Sequence, residues 1–376
     1  MNLKSFCTAL FALFLSGMTR GQGGKWELLQ ASNAARECSE CGMAALNGKL
    51  YLLGGDGEDP RAVQRLDPAT MTWTQLAMAP VVMHHFQAVA YQEKIYVLDA
   101  FSSGQFPDQV PMPNVYSYNT ATDRWQAEGK IPAERRRAGA AAVVYRNKLY
   151  LVAGIQHGHS SGTTDMFDCY DPATKSWTAL PNAPHIRDHG SAAVIKDKLY
   201  LVGGRNTSFR DPENKVTFFS KTILDVDVYD FKSGKWSTLP ARLPLGSGGG
   251  AVVNLNDVLY YMGGERATET EPNAPRKNTF YLNPLTSEQW TETDSLHFAR
   301  NGMAAAVWNN KIYIAGGSGG PGGPGGRGGP GGPGGPGIAL PSGNPAVLSQ
   351  GQQGKNLPKG PMVYQPVEVE VFILNQ

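Results

Sequence analysis

Six copies of one short phrase constrain this chain more than any other feature. The cleanest is Lys198-Leu199-Tyr200-Leu201-Val202-Gly203-Gly204. Its counterparts begin at Lys49, Lys94, Lys148, Val258 and Lys311. Their first tyrosines are Tyr51, Tyr96, Tyr150, Tyr200, Tyr260 and Tyr313, spaced 45, 54, 50, 60 and 53 residues apart. Self-similarity at that period means a solenoid, an array or a propeller, in which each unit buries its apolar face only against its neighbours. A length of 376 residues therefore does not imply two or three separate domains.

Each copy carries two further landmarks. Downstream come a Tyr or Leu, an Asp or Asn, a turn and then a Trp, as in Leu66-Asp67-Pro68 to Trp73, Tyr118-Asn119 to Trp125, Tyr170-Asp171-Pro172 to Trp177 and Tyr229-Asp230 to Trp236. In the fifth copy Tyr281 and Trp290 are nine apart, which predicts a two-residue insertion in the hairpin. Asp-Pro between β-rich runs sets a turn, because Pro fixes φ and the Asp side chain caps the turn. Upstream lies a run of small and branched residues, such as Gly139 to Val144, Ser191 to Ile195 and Met303 to Val307. The unit is thus four strands, and small side chains on the first suit strands that crowd towards an axis.

A Gly-Gly pair ending a strand, a Tyr in the next hairpin and a Trp about seven residues later resemble kelch repeats. The resemblance covers nearly the whole of residues 22–376. It implies an all-β fold, a six-bladed β-propeller with four antiparallel strands per blade. Lys25-Trp26-Glu27-Leu28-Leu29 is a Trp strand with no preceding partners, and the last copy ends after Val367 to Leu374 without a Trp. The Trp26 strand is expected to complete the last blade, which removes an open edge.

The flanks read differently. Lys4 followed by the apolar run Phe6 to Leu15 resembles a secretory signal, too short to span a bilayer, with Thr19-Arg20-Gly21 as a cleavage region. Residues 1–21 are expected to be removed, leaving a secreted, extracellular protein, or a periplasmic one in a bacterium. No later stretch predicts a membrane span, and a net charge of +2 gives no case for nucleic acid. A monomer is expected. Residues from about 318 to 361, opening with a Gly-Gly-Pro rhythm, carry too few apolar groups to order themselves and read as a disordered loop inside the last blade.

Strand direction locates the functional face. In an antiparallel blade the residues leading into the first strand and those following Gly-Gly share one rim. That rim also collects the insertions, and function concentrates on such loops. The lead-in segments offer Arg36 and Glu37, His84 and His85, Arg135 to Arg137, Arg187-Asp188-His189, and Arg300-Asn301. The fifth offers only Ser247 and glycines. Arg36, Glu37, His85, Arg137, Arg187, His189, Arg300 and Asn301 are the candidate ligand-binding residues. A guanidinium fork suits carboxylate recognition, although arginines at this place also serve to brace blades.

Metal and cofactor chemistry are not expected. Adjacent His84 and His85 on a strand would point to opposite faces, and His157-Gly158-His159 near His189 is a weak signal. Copper radical oxidases of the galactose-oxidase kind have similar blades. Their cross-linked Cys-Tyr pair, two His ligands, further Tyr and extra domain find no positions here, and Cys169 suits a packed strand. Bacterial N-acetylneuraminate mutarotases resemble this chain in size and blade number. Such chemistry needs an acid/base pair, for which Glu37, Glu265 or His189 are candidates, and a cation, for which Arg187 or Arg300 are candidates. No catalytic residue is carried over from that family. Cys38-Ser39-Glu40-Cys41 suits a local disulfide in an exported chain. Asn206-Thr207-Ser208 is a glycosylation sequon. The functional expectation is a recognition module for an acidic carbohydrate or a protein partner, with sialic-acid mutarotation as the alternative.

Overall fold

The computed structural model describes residues 23–33, 35–209, 217–267, 274–319 and 369–375. The expected signal segment and nearly all of the Gly/Pro-rich segment lie outside these. Six four-stranded antiparallel sheets form a ring, a six-bladed β-propeller. Blade 1 comprises Gly42–Leu46, Lys49–Leu53, Val63–Asp67 and Thr72–Gln75, and blades 2 to 5 repeat that order. Blade 6 takes Asn301–Trp308, Lys311–Ser318 and Val369–Leu374, and its outer strand is Gly24–Leu29. Register runs from Gly24 opposite Leu374 to Leu29 opposite Val369. The Trp26 strand closes the ring as expected.

The repeated phrase forms the second strand of every blade. Its alternate residues bury on both faces, as in Leu50, Tyr51, Leu52 and Leu53, because each blade is covered by a neighbour on either side. Apolar clusters therefore sit between blades; one joins Leu50, Leu52 and Trp73 of blade 1 to Ala304, Ala306 and Tyr313 of blade 6. Each fully buried Leu contributes about 2 kcal/mol.

The tryptophans add a polar tie. Trp125 Nε1 donates to Ala77 O at 3.1 Å, Trp236 Nε1 to Pro181 O at 2.7 Å and Trp290 Nε1 to Ala241 O at 3.2 Å, each reaching the tail of the preceding blade. Trp26 Nε1 also reaches the preceding blade, but donates to a side chain of its third strand, Thr279 Oγ1, at 3.0 Å. In blade 5 the insertion leaves an outer strand of only Thr291–Glu292. A four-residue helix, Thr217–Ser220, lies in the loop of blade 4. Among the described residues, no helix is long and apolar enough to cross a membrane.

Candidate functional site

The lead-in and post-Gly-Gly segments do share one rim, and they pair there as short extensions of the blades. His84 bridges Phe101, Ala138 bridges Ile155, Asp188 bridges Arg205 and Gly248 bridges Glu265. Next to these bridges lies a feature that the sequence reading did not anticipate. Glu40, His85, Gly139, His189, Gly249 and Gly302 occupy the same position in blades 1 to 6, and all six have φ between 53° and 66°. Their backbones close a circle of hydrogen bonds around the axis. Each N–H donates to the carbonyl of its neighbour one blade back, at 2.6 to 2.8 Å, and Glu40 donates to Gly302 to complete it.

The left-handed conformation costs a residue with a Cβ about 1–2 kcal/mol, and three of the six positions are accordingly glycine. The other three are Glu40, His85 and His189. Strain of this kind persists where surrounding structure imposes it, and such sites cluster at functional centres. The collar rings a mouth whose floor is Gln87. The Gln87 amide donates to Ala192 O at 3.0 Å and accepts from Ala192 N and Ala142 N, bracing blades 2, 3 and 4. Below it the channel is lined by small and branched residues of all six inner strands, including Ala44, Ala90, Ala142, Ala193, Val253 and Ala306. The mouth has a cavity volume of about 80 Å³, room for a few waters or one polar group of a ligand.

Three histidines converge at this mouth. His159 arrives from the loop of blade 3, held by His159 N donating to Pro107 O at 2.7 Å. Its ring centroid lies 5.0 Å from that of His85 and 5.3 Å from that of His189, and the latter two are 5.1 Å apart. Each ring has its Nδ1 engaged: His85 with His84 Nδ1 at 2.6 Å, His159 with Gln109 Oε1 at 3.1 Å, and His189 with Asp188 Oδ1 at 2.5 Å. The expectation that His84 and His85 diverge fails, because His85 is not in a strand; its φ of 61° turns its ring beside that of His84.

Burial sets the charges. It holds the His85 and His159 imidazoles well below their ordinary pKa, helped by the neighbouring histidines, so both are neutral at physiological pH. Burial also pushes the half-buried Glu40 carboxyl up to about 7, with His189 and Arg205 pulling it down and Glu265 pushing it up. Burial raises Asp188 as well, but the hydrogen bond and charge of His189, then Arg205, bring it to about 2. Asp188 also accepts from Thr207 Oγ1 and Thr163 Oγ1. Arg205 pairs with Glu265, whose other oxygen accepts from Asn301 Nδ2 at 2.5 Å. A buried polar network thus runs from His189 across blades 4, 5 and 6.

The arginine candidates take a different place. Arg137, Arg187 and Arg300 are buried and point into their own blades. Each donates to the carbonyl of the first residue of the Gly-Gly position (Ala153, Gly203 and Gly316) and pairs with a carboxylate on the third strand, Asp168, Asp227 or Glu370. They clamp the second strand to the third rather than face the mouth. Arg36 is exposed and pairs with Asp59, while burial raises the half-buried Glu37. Of the eight candidates, the structure brings His85, His189 and Asn301 to the mouth and its network. His159, weighed in the sequence only as part of the weak His157-Gly158-His159 signal, joins them, as do Glu40, Gln109 and Arg205, which have no legible spacing in the sequence.

The expected Cys38–Cys41 disulfide is not formed in this structure. Both are free, buried thiols. A hydrogen bond with Cys41, then burial, pushes the Cys38 thiol well up, which keeps it protonated. In the sequon Asn206-Thr207-Ser208, Ser208 hydrogen-bonds Thr163 and Asn206 is half-buried on the rim.

The ring and its rim define a six-bladed propeller with an axial mouth on its loop-rich face. The chain belongs to the Kelch-repeat family: the family described as "KLHDC2/KLHL20/DRC7 Kelch-repeats domain" matches residues 18–204 and 114–317. It is similar to "Kelch-like protein terF" of Aspergillus terreus, 27% identical over 78% of this chain and 64% of that protein. It is also similar to "Alpha-scruin" of Limulus polyphemus, 28% identical over 54% of this chain and 21% of that one. The chain therefore spans less than two thirds of the length of these relatives. "N-acetylneuraminate epimerase" of Haemophilus influenzae is 26% identical over 59% of this chain and 72% of its own. A solved structure described as "Structure of YjhT" superposes with a TM-score of 0.63 at 18% identity, over 77% of this chain and 94% of that one, a likeness of fold.

Proposed function

We propose that this chain is a secreted recognition propeller that binds a partner protein across its loop-rich face, with one polar group of the partner seated in the axial mouth. The observation that carries the reading is the asymmetry of the two faces. The long loops stand on one rim, around a collar bearing Glu40, His85 and His189. On the same rim Phe106 is 67% exposed while its ring packs on His159. A cavity of about 80 Å³ takes a side-chain tip more readily than a whole sugar acid. The inward-turned arginines also favour this over capture of an acidic carbohydrate. To test it, the partner captured by the unmodified protein is compared among variants. Phe106→Ser with Phe209→Ser, the latter residue 37% exposed on the post-Gly-Gly loop of blade 4, should abolish its retention, and Arg146→Ser, in an exposed turn between the first two strands of blade 3, should leave it intact. Equal retention by all variants overturns the reading.

A second reading rests on a specific observation: Glu40, whose carboxyl burial raises to about 7, and His189, held by buried Asp188, stand on one collar, a pairing that suits acid/base chemistry on a sugar hemiacetal. Similarity to N-acetylneuraminate epimerase makes N-acetylneuraminate the substrate to try. Anomer exchange followed by NMR should then be accelerated and fall at least about 100-fold in Glu40→Gln. Exchange at the buffer rate removes this reading.

A further inference from the structure

We infer that His85, His159 and His189 form a binding site for one borderline transition-metal ion of the Zn²⁺ class at the axial mouth. One ring nitrogen from each of the three lies within 4.8 Å of those of the other two, so small inward rotations of the rings bring them to the about 3.3 Å separation that a tetrahedral ion holds between its ligands. All three residues are buried. Neutral imidazoles are the ligands Zn²⁺, Co²⁺ and Cu²⁺ prefer, whereas Mg²⁺ and Ca²⁺ require oxygen.

The surroundings of the triad match what metal-bound histidines need. A ligating histidine usually donates its second ring N–H to a carboxylate, a carbonyl or water, which fixes the tautomer and orients the ring. Here Asp188 serves His189 and the Gln109 side-chain carbonyl serves His159, while His84 Nδ1, 2.6 Å away, is the acceptor for His85 Nδ1–H, the tautomer that leaves His85 Nε2 free. With Nδ1 so occupied, Nε2 is the nitrogen that His189 turns to the ion. That Nε2 is buried and has no hydrogen-bond partner, an arrangement that is costly unless something meets it.

The backbone gives the site its rigidity. His85 and His189 sit on the hydrogen-bonded collar, two positions apart, with Gly139 between them. A side chain at Gly139 would meet the His189 ring at 3.4 Å. Three imidazoles fill three positions of a tetrahedral ion and leave a fourth for water or a partner's oxygen or nitrogen, the pattern of an open site. This goes beyond the recognition reading and stands on the histidine geometry. Metal uptake and partner capture are measured separately, and either can fail alone.

The test titrates the full chain, stripped with chelator, with Co²⁺ and then Zn²⁺. One equivalent of Co²⁺ should bind with the intense visible bands of tetrahedral coordination, and Zn²⁺ should displace it. His159→Gln and His189→Asn should each weaken Co²⁺ binding at least about 100-fold, and Asp188→Asn about 10–100-fold. His157→Gln, an exposed histidine on the same loop, should leave it unchanged. Substitution on the collar can disturb folding, so X-ray absorption at the zinc edge of the unmodified protein gives an independent reading, with three imidazoles expected at about 2.0 Å. Absence of binding up to about 100 µM Co²⁺ overturns the assignment. So does a weak octahedral spectrum, or equal affinity in the triad variants.

Discussion

Asp99 shows how one residue can hold stability and pH together. It stands where most copies of the phrase have their first glycine, and it is fully buried. Its Oδ2 accepts from Ala140 N at 3.1 Å, and its Oδ1 has no partner. Burial pushes its carboxyl up to about 8, against the hydrogen bond from Ala140 and the charge of Arg137. A carboxyl whose pKa rises on folding takes up a proton as the chain folds. Its cost is therefore absent below pH ~4, the unfolded value, and grows as pH rises towards about 8. Asp99→Asn keeps the shape and removes the ionisation. It should unfold at the same urea concentration as the parent near pH 4 and be more stable by several kcal/mol, up to about 5, at pH 8. A variant no more stable at pH 8 would mean that Asp99 is ionised and solvated in the fold.

At the level of the element, the collar sets how much each glycine matters. A Cβ at Gly302 would stand 2.6 Å from Glu40 Oε1 and 2.8 Å from Glu40 N, and at Gly139 the closest atom is His189 Nδ1 at 3.4 Å. Both residues have a left-handed φ. Gly139→Ala should cost about 1–2 kcal/mol from conformation alone, and Gly302→Ala roughly 2 kcal/mol more from the clash, as measured by denaturant unfolding. Equal losses would show that the spacing around Glu40 relaxes freely. The same collar explains what could be read beforehand and what could not. The Tyr-Gly-Gly phrase reports strand, register and face, because period-two burial and Gly φ leave a trace in residue type. The lead-in arginines were legible as a repeated feature, yet their direction depends on Asp168, Asp227 and Glu370, distant in sequence. The histidine triangle left almost no trace: His85 and His189 meet because of positive φ at non-glycine residues, and His159 because a loop of blade 2 receives its backbone. A chain read as strands places adjacent side chains on opposite faces, and that rule does not hold at the collar.

For the whole molecule, the seam in blade 6 governs cooperativity. Gly24–Leu29 leads in sequence into blade 1 and is hydrogen-bonded to Val369–Leu374, so the ring is continuous only while this pair holds. Trp26 is the centre of the seam. It is 4% exposed, its ring lies 5.2 Å from Phe372, and Phe372 packs on Tyr260 of blade 5 at 5.3 Å. The backbone N–H of Trp26 also donates to Asp294 at 2.9 Å. Trp26→Ala should cost about 3–5 kcal/mol from the cavity and the lost indole bond. In a ring of repeats each blade is stabilised by two neighbours, so opening one seam turns blades 6 and 1 into ends. Hydrogen exchange on the variant should therefore show protection falling in Gly24–Leu29 and Val369–Leu374 first. It should then fall in the inner strands of blades 6 and 1, with the ring of blades 3 and 4 last to respond. Loss confined to Gly24–Leu29 would mean that the other blades stand without closure. Uniform loss in all six blades would mean that the ring opens only by unfolding as one unit.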